Sequence, residues 1–150
     1  MRKFSIHFLL LFLSVPALTT FAQKNNKVDV FGYYTIKNPT KTFADISEIH
    51  LSGNYGAQEK PPIYGLIRLK KKSAKDFQLL KPTLNGKNLT FTTKAVGGIS
   101  YQFDGTFTKL GNFPETRPEG EILLKGRLTK YKGKTKIVEA NVSFSYSAGD

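Results

Sequence analysis

From Ile99 to Thr108 apolar and polar side chains alternate. Ile99, Tyr101, Phe103 and Phe107 fall between Ser100, Gln102, Asp104, Thr106 and Thr108. A period of two belongs to an extended strand, whose successive side chains point to opposite faces. One dry face and one wet face are therefore predicted, within a strand over residues 98–109. The same reading predicts strands over residues 28–36, 46–51, 63–71, 76–81, 87–94, 121–130 and 135–146. Ile63, Gly65, Ile67 and Leu69 point inward in the third, Ile122, Leu124, Gly126 and Leu128 in the seventh, and Val138, Ala140, Val142, Phe144 and Tyr146 in the eighth. The first strand carries Val28, Val30, Tyr34 and Ile36 on one face and Phe31 and Tyr33 on the other.

Turn chemistry separates these stretches. Asn38-Pro39-Thr40 breaks the first strand, residues 53–62 form a loop closed by Pro61-Pro62, and Pro82 ends the fourth strand. Asn85-Gly86 is the strongest hairpin signal, because both residues tolerate the positive φ of a tight turn. Gly97-Gly98 marks a second turn, and Gly105 predicts a bulge or a sharp bend. Residues 110–119, with Gly111, Pro114 and Pro118, read as a loop, and no helix is predicted. The expected fold is all-β: a single antiparallel meander of about eight strands, forming a closed or partly closed barrel. Closure removes strand edges that would otherwise template aggregation. A β-sandwich with Greek-key crossings is the alternative.

Composition changes the picture at the N-terminus first. Met1-Arg2-Lys3 is basic, residues 4–13 are almost wholly apolar, and Thr20-Phe21-Ala22 precedes Gln23. That sequence of features predicts a cleaved signal peptide over residues 1–22 and a single domain over residues 23–150. The expected destination is secreted or periplasmic. The chain carries no cysteine and a net charge of +12; loss of Arg2 and Lys3 lowers that by two, to +10. A mature chain of this size buries enough surface to form one core without disulfides.

The charge is unevenly placed. In a meander, alternate turns share one end of the barrel. Lys37, Lys41 and Lys94 would lie at one end with a collar of Lys70, Lys71, Lys72, Lys75, Lys130, Lys132, Lys134 and Lys136. The other end would hold Lys60, Lys81, Lys87, Lys109 and Arg117, diluted by Glu59, Glu115 and Glu119. Lysines at strand ends deter aggregation. A one-sided collar also points to an anionic partner, an acidic glycan or a membrane surface. Nucleic acid is not expected, since the tyrosines are not interleaved with arginine as a stacking platform requires.

The aromatic residues offer a second candidate site. Tyr34, Phe91, Tyr101, Phe103, Phe107, Phe144 and Tyr146 all point inward, as a packed core or as the wall of a pocket for a small lipid-like ligand. Tyr33, Tyr55, Tyr64 and Tyr131 are expected nearer the surface, with rings able to stack on sugars. Catalytic chemistry is poorly supplied. The domain has one histidine, His50, and no serine in a nucleophile elbow. A single histidine without cysteine cannot build a transition-metal site, so no metal and no cofactor are expected. Asp104, Glu115, Glu119, Glu121 and Glu139 are the candidate carboxylates, and no pair among them stands out. Asn88-Leu89-Thr90 and Asn141-Val142-Ser143 match the N-glycosylation acceptor pattern.

Phe31-Gly32-Tyr33-Tyr34 resembles the lipocalin signature, a glycine followed two residues later by tryptophan, with Tyr34 in the place of the tryptophan. The chain from Pro118-Glu119-Gly120 through Leu128-Thr129-Lys130 to Phe144-Ser145-Tyr146 looks like uncharacterised secreted bacterial proteins. The first resemblance implies a barrel, and the second a Gram-negative envelope protein; neither implies an activity. The favoured expectation is a non-catalytic binding protein holding a small apolar or amphiphilic ligand inside a barrel. The alternative is an envelope module that meets an anionic glycan or membrane through lysines and tyrosines.

Overall fold

Each alternating stretch forms a strand. The structure, a computed structural model, describes residues 28–53, 63–71 and 73–149. The predicted leader, residues 54–62 with Tyr55, Glu59 and Lys60, and Lys72 of the collar lie outside the described residues. In chain order the strands are β1 (Gly32–Lys37), β2 (Ile46–Gly53), β3 (Ile63–Leu69), β4 (Phe77–Asn85), β5 (Asn88–Thr93), β6 (Ile99–Phe107), β7 (Ile122–Lys132) and β8 (Thr135–Ser147). Consecutive strands pair antiparallel, and β1 also pairs with β8 from Tyr33↔Ser147 to Lys37↔Ser143. The meander thus closes into an eight-stranded barrel, and the sandwich alternative is set aside.

Alternation holds best in β6, where Tyr101, Phe103, Gly105 and Phe107 are buried and the residues between them are exposed. Gly105 is no bulge, because the register of β6 runs unbroken against both neighbours. Its reason is close approach. Gly105 sits directly opposite Gly126 of β7, with the Phe103 ring against both. A Cβ on Gly126 would lie 2.4 Å from the Gly105 Cα.

Two expectations are corrected where the ladder is irregular, and the hairpin signalled by Asn85-Gly86 forms with its turn one residue further on. Pro82 does not end β4, because the strand takes it through a register shift between Leu80 and Thr83, with Lys81 at φ 49°. A bulge removes the ladder bond that proline cannot donate. Asn85 is the last strand residue, paired with Asn88, and the turn is Gly86-Lys87 with Gly86 at φ 56°. Positive φ at the first central position alone is the type II′ hairpin pattern. In β7 a register shift between Ile122 and Leu124 turns Ile122 outward and buries Leu123 beside Leu124.

Loops plug both mouths. At one end, the 3₁₀ turn Lys41–Phe43 between β1 and β2 drops Phe43 fully into the core. At the other, the predicted loop after β6 contains a four-residue helix, α1 (Phe113–Thr116), which the sequence reading did not anticipate. Pro114 stands in its first turn, and Arg117 ends it in a left-handed conformation. Two backbone bonds tie this loop to the segment just before β1, Asp29 N–H to Gly111 O (2.9 Å) and Phe113 N–H to Asp29 O (2.8 Å). Phe113 is thereby seated edge-on to Phe107 and Tyr146.

Candidate functional site

The seven inward aromatic residues are brought together as expected, but as a filled core. Tyr34 meets Phe107 and Tyr146 edge-on at 5.7 and 5.6 Å between ring centroids. Phe103 lies 5.3 Å from Phe91 and 5.9 Å from Phe144, and Tyr101 packs against Phe77 at 4.9 Å. All seven retain no more than 3% of their accessible surface. A cavity wide enough for one water molecule would leave accessible wall on the rings around it. Inside the barrel these rings pack as a core and leave no accessible wall for an enclosed ligand, while Tyr146 also borders an open cleft at one rim.

Their hydroxyls serve the backbone. Tyr34 donates to Val30 O, and Tyr146 donates to Phe31 O at 3.1 Å. Burial raises the phenol pKa of Tyr34, Tyr101 and Tyr146 above the ordinary value, with neighbouring acidic groups adding to the rise.

The lysine collar stands where the topology predicts it. The β1–β2, β3–β4, β5–β6 and β7–β8 turns share one end of the barrel. Lys37, Lys41, Lys70, Lys71, Lys75, Lys94, Lys132 and Lys134 are exposed there. The acidic residues on this side are already engaged. Asp45 meets Lys130 at 3.8 Å, Glu48 and Asp76 meet Arg68 at 2.9 and 3.6 Å, and Glu139 meets Lys136 at 3.5 Å. Thr129 also donates to Glu139, and this bond, with Lys136 and Arg127 nearby, lowers the Glu139 pKa. The exposed lysines named above have no acidic partner among the described residues. Lys130 and Lys136 of the predicted collar are paired, and Lys130 also lies over the Tyr101 ring at 5.7 Å. Lys75 and Lys94 line an open hollow of about 570 Å³ with Leu66, Gln78 and Val96.

The candidate carboxylates do not converge in a cleft. Asp104 and Glu139 flank Arg127 at 4.0 and 3.9 Å on the outer wall. Glu121 pairs with Lys109 at 2.7 Å, Glu119 accepts the Ala148 N–H at 2.7 Å, and Glu115 is exposed. Among the described residues no three His, Cys, Asp or Glu side chains cluster as a metal site would require.

His50 stands on the outer face of β2, stacked on Tyr33 at 4.4 Å with the rings 6° from parallel. Its Nε2 lies 3.0 Å from Ser52 Oγ. The sequence reading missed Ser52, although the His-x-Ser spacing puts both side chains on one strand face. Partial burial, then the Arg68 charge, lowers the His50 pKa and favours the neutral ring. The chain matches no protein-family model, no curated protein and no solved structure.

Proposed function

We propose that this protein is a non-catalytic, exported binding module that docks its lysine-rich barrel end on an anionic membrane surface of the cell envelope. The observation that carries this reading is the set of exposed lysines at one end whose neighbouring carboxylates are already paired. Each lysine near an anionic lipid surface contributes about 1 kcal/mol, so several acting together give stable yet reversible attachment. Among the described residues the turns at this end expose no aromatic side chain, and the nearest surface ring, Tyr131 at the end of β7, is half-buried with its hydroxyl donating to Gln102 at 3.1 Å. That favours lipid headgroups over an acidic glycan. Interior carriage of a lipid-like ligand lacks support, because the core rings leave it no room. The leader predicted over residues 1–22 supplies the route of export.

Co-sedimentation of the mature protein with vesicles tests the proposal. Phosphatidylglycerol vesicles should pellet the protein at low salt, and phosphatidylcholine vesicles should leave it in solution. Binding should fade as salt approaches about 1 M, where charges are screened within roughly 3 Å. No sedimentation with anionic vesicles, or sedimentation indifferent to salt, would overturn the reading. Stronger capture by alginate than by vesicles at equal salt would move the partner to acidic glycan.

A further inference from the structure

We infer that an open cleft at the barrel end opposite the lysines binds a small saccharide carrying a carboxylate. The cleft encloses about 360 Å³ between the beginnings of β1 and β3, the end of β2, and the loop that holds α1. That volume is at the lower end of the roughly 300–1,000 Å³ found for small-molecule sites. The β-ladder builds one wall. Tyr33 and His50 are directly opposite across β1 and β2, and Ser52 and Tyr64 are directly opposite across β2 and β3. Cross-strand neighbours share a face, so four side chains with hydroxyl, imidazole and aromatic groups stand together on the wall. Tyr64 is 48% exposed, a large aromatic residue left to solvent where it lines the cleft.

Arg117 lines the cleft from the other side. Its backbone is held at φ 41° by the bond from its N–H to Phe113 O at 2.8 Å. Left-handed backbone costs a non-glycine residue about 1–2 kcal/mol. Glycine would fill the position more cheaply, yet an arginine stands there. Among the described residues its guanidinium has no acidic partner, since Glu119 beside it is turned to the Ala148 N–H. A free guanidinium binds a carboxylate through two parallel hydrogen bonds. Tyr64 offers a face to a sugar ring, and Ser52 and neutral His50 offer partners for its hydroxyls. Nothing in the cleft gives the deep apolar channel that an acyl chain would need.

The inference is independent of docking through the lysines, which lie at the far end. Titration of the mature protein with galacturonate, galactose and benzoate, followed by NMR at the His50 and tyrosine rings, tests it. Galacturonate should shift the His50 and Tyr64 resonances. Galactose should bind about tenfold or more weakly, the loss expected without one charge-assisted hydrogen bond. Arg117→Gly suits the left-handed backbone, should keep the thermal midpoint of the parent, and should weaken galacturonate by a similar factor. Tyr64→Ala should also weaken it. The inference fails if galacturonate leaves those resonances unmoved, if Arg117→Gly binds as well as the parent, or if benzoate binds as tightly as galacturonate.

Discussion

Tyr34, Tyr101 and Tyr146 carry phenols into a core made mostly of hydrocarbon, and this sets the protein's response to alkali. Burial raises all three pKa values above 10, so the folded state keeps protons that the unfolded chain releases there. Stability is unaffected by these groups below pH 10 and falls as pH climbs beyond it. Ultraviolet titration of the phenolate band should show three tyrosines that ionise only as the fold is lost; smooth titration of every tyrosine before unfolding would contradict the packed interior. Gly126 makes the opposite demand, for the lack of a side chain. A methyl group there would meet the Gly105 Cα at 2.4 Å, Asp104 O at 2.5 Å and the Phe103 ring at 2.7 Å. Two of those contacts are backbone and cannot swing aside. Gly126→Ala should lose about 1–3 kcal/mol, the range for overpacking, in a urea unfolding experiment.

At the scale of strands, alternation made most of the barrel legible. Ile63 and Ile67, Phe91 and Leu89, and Tyr101, Phe103 and Phe107 are buried as their period of two predicts. What escaped sequence reading lies where the ladder slips. Nothing local tells Pro82 to sit in a bulge, since its place depends on how Thr83 and Leu80 find partners on β5. Ile122 reads as inward until one extra residue in β7 reverses its face. The lysine collar was legible because any up-and-down meander puts alternate turns together. The Tyr33, His50, Ser52, Tyr64 and Arg117 grouping was not, because it depends on the register of three strands and on a helix that only tertiary contacts hold. The same registers predict where the barrel opens. β3 and β4 pair only at Leu66↔Gln78 and Ile67↔Phe77, whereas β6 and β7 pair along the whole of β6. Local opening follows the weakest ladder. Hydrogen exchange should therefore be fastest among strand amides in β3 and the β3-facing side of β4, and slowest in β6 and β7. Uniform protection around the barrel would contradict this.

For the whole molecule, closure of the barrel sorts charge by end. A meander has turns at only two levels, so lysines scattered through the sequence are collected into one ring and the pocket-like cleft into the opposite rim. A molecule attached by the first would present the second away from the membrane. The two ends respond differently to equal losses of charge. Lys70→Gln with Lys134→Gln removes two unpaired charges from the collar, and at about 1 kcal/mol each this should weaken binding to anionic vesicles roughly thirtyfold. The structure moves Lys81 from the far rim to the middle of β4, so Lys87→Gln with Lys109→Gln removes the same net charge from the far end and should change binding little, since those charges would stand more than a Debye length, about 8 Å at physiological salt, from the lipid. Global attraction of a positive molecule to a negative surface would make the two pairs equivalent. Measured side by side at one ionic strength, equal losses would therefore reduce the lysine collar to an ordinary basic surface, whereas a large difference between the pairs would show which end meets the membrane.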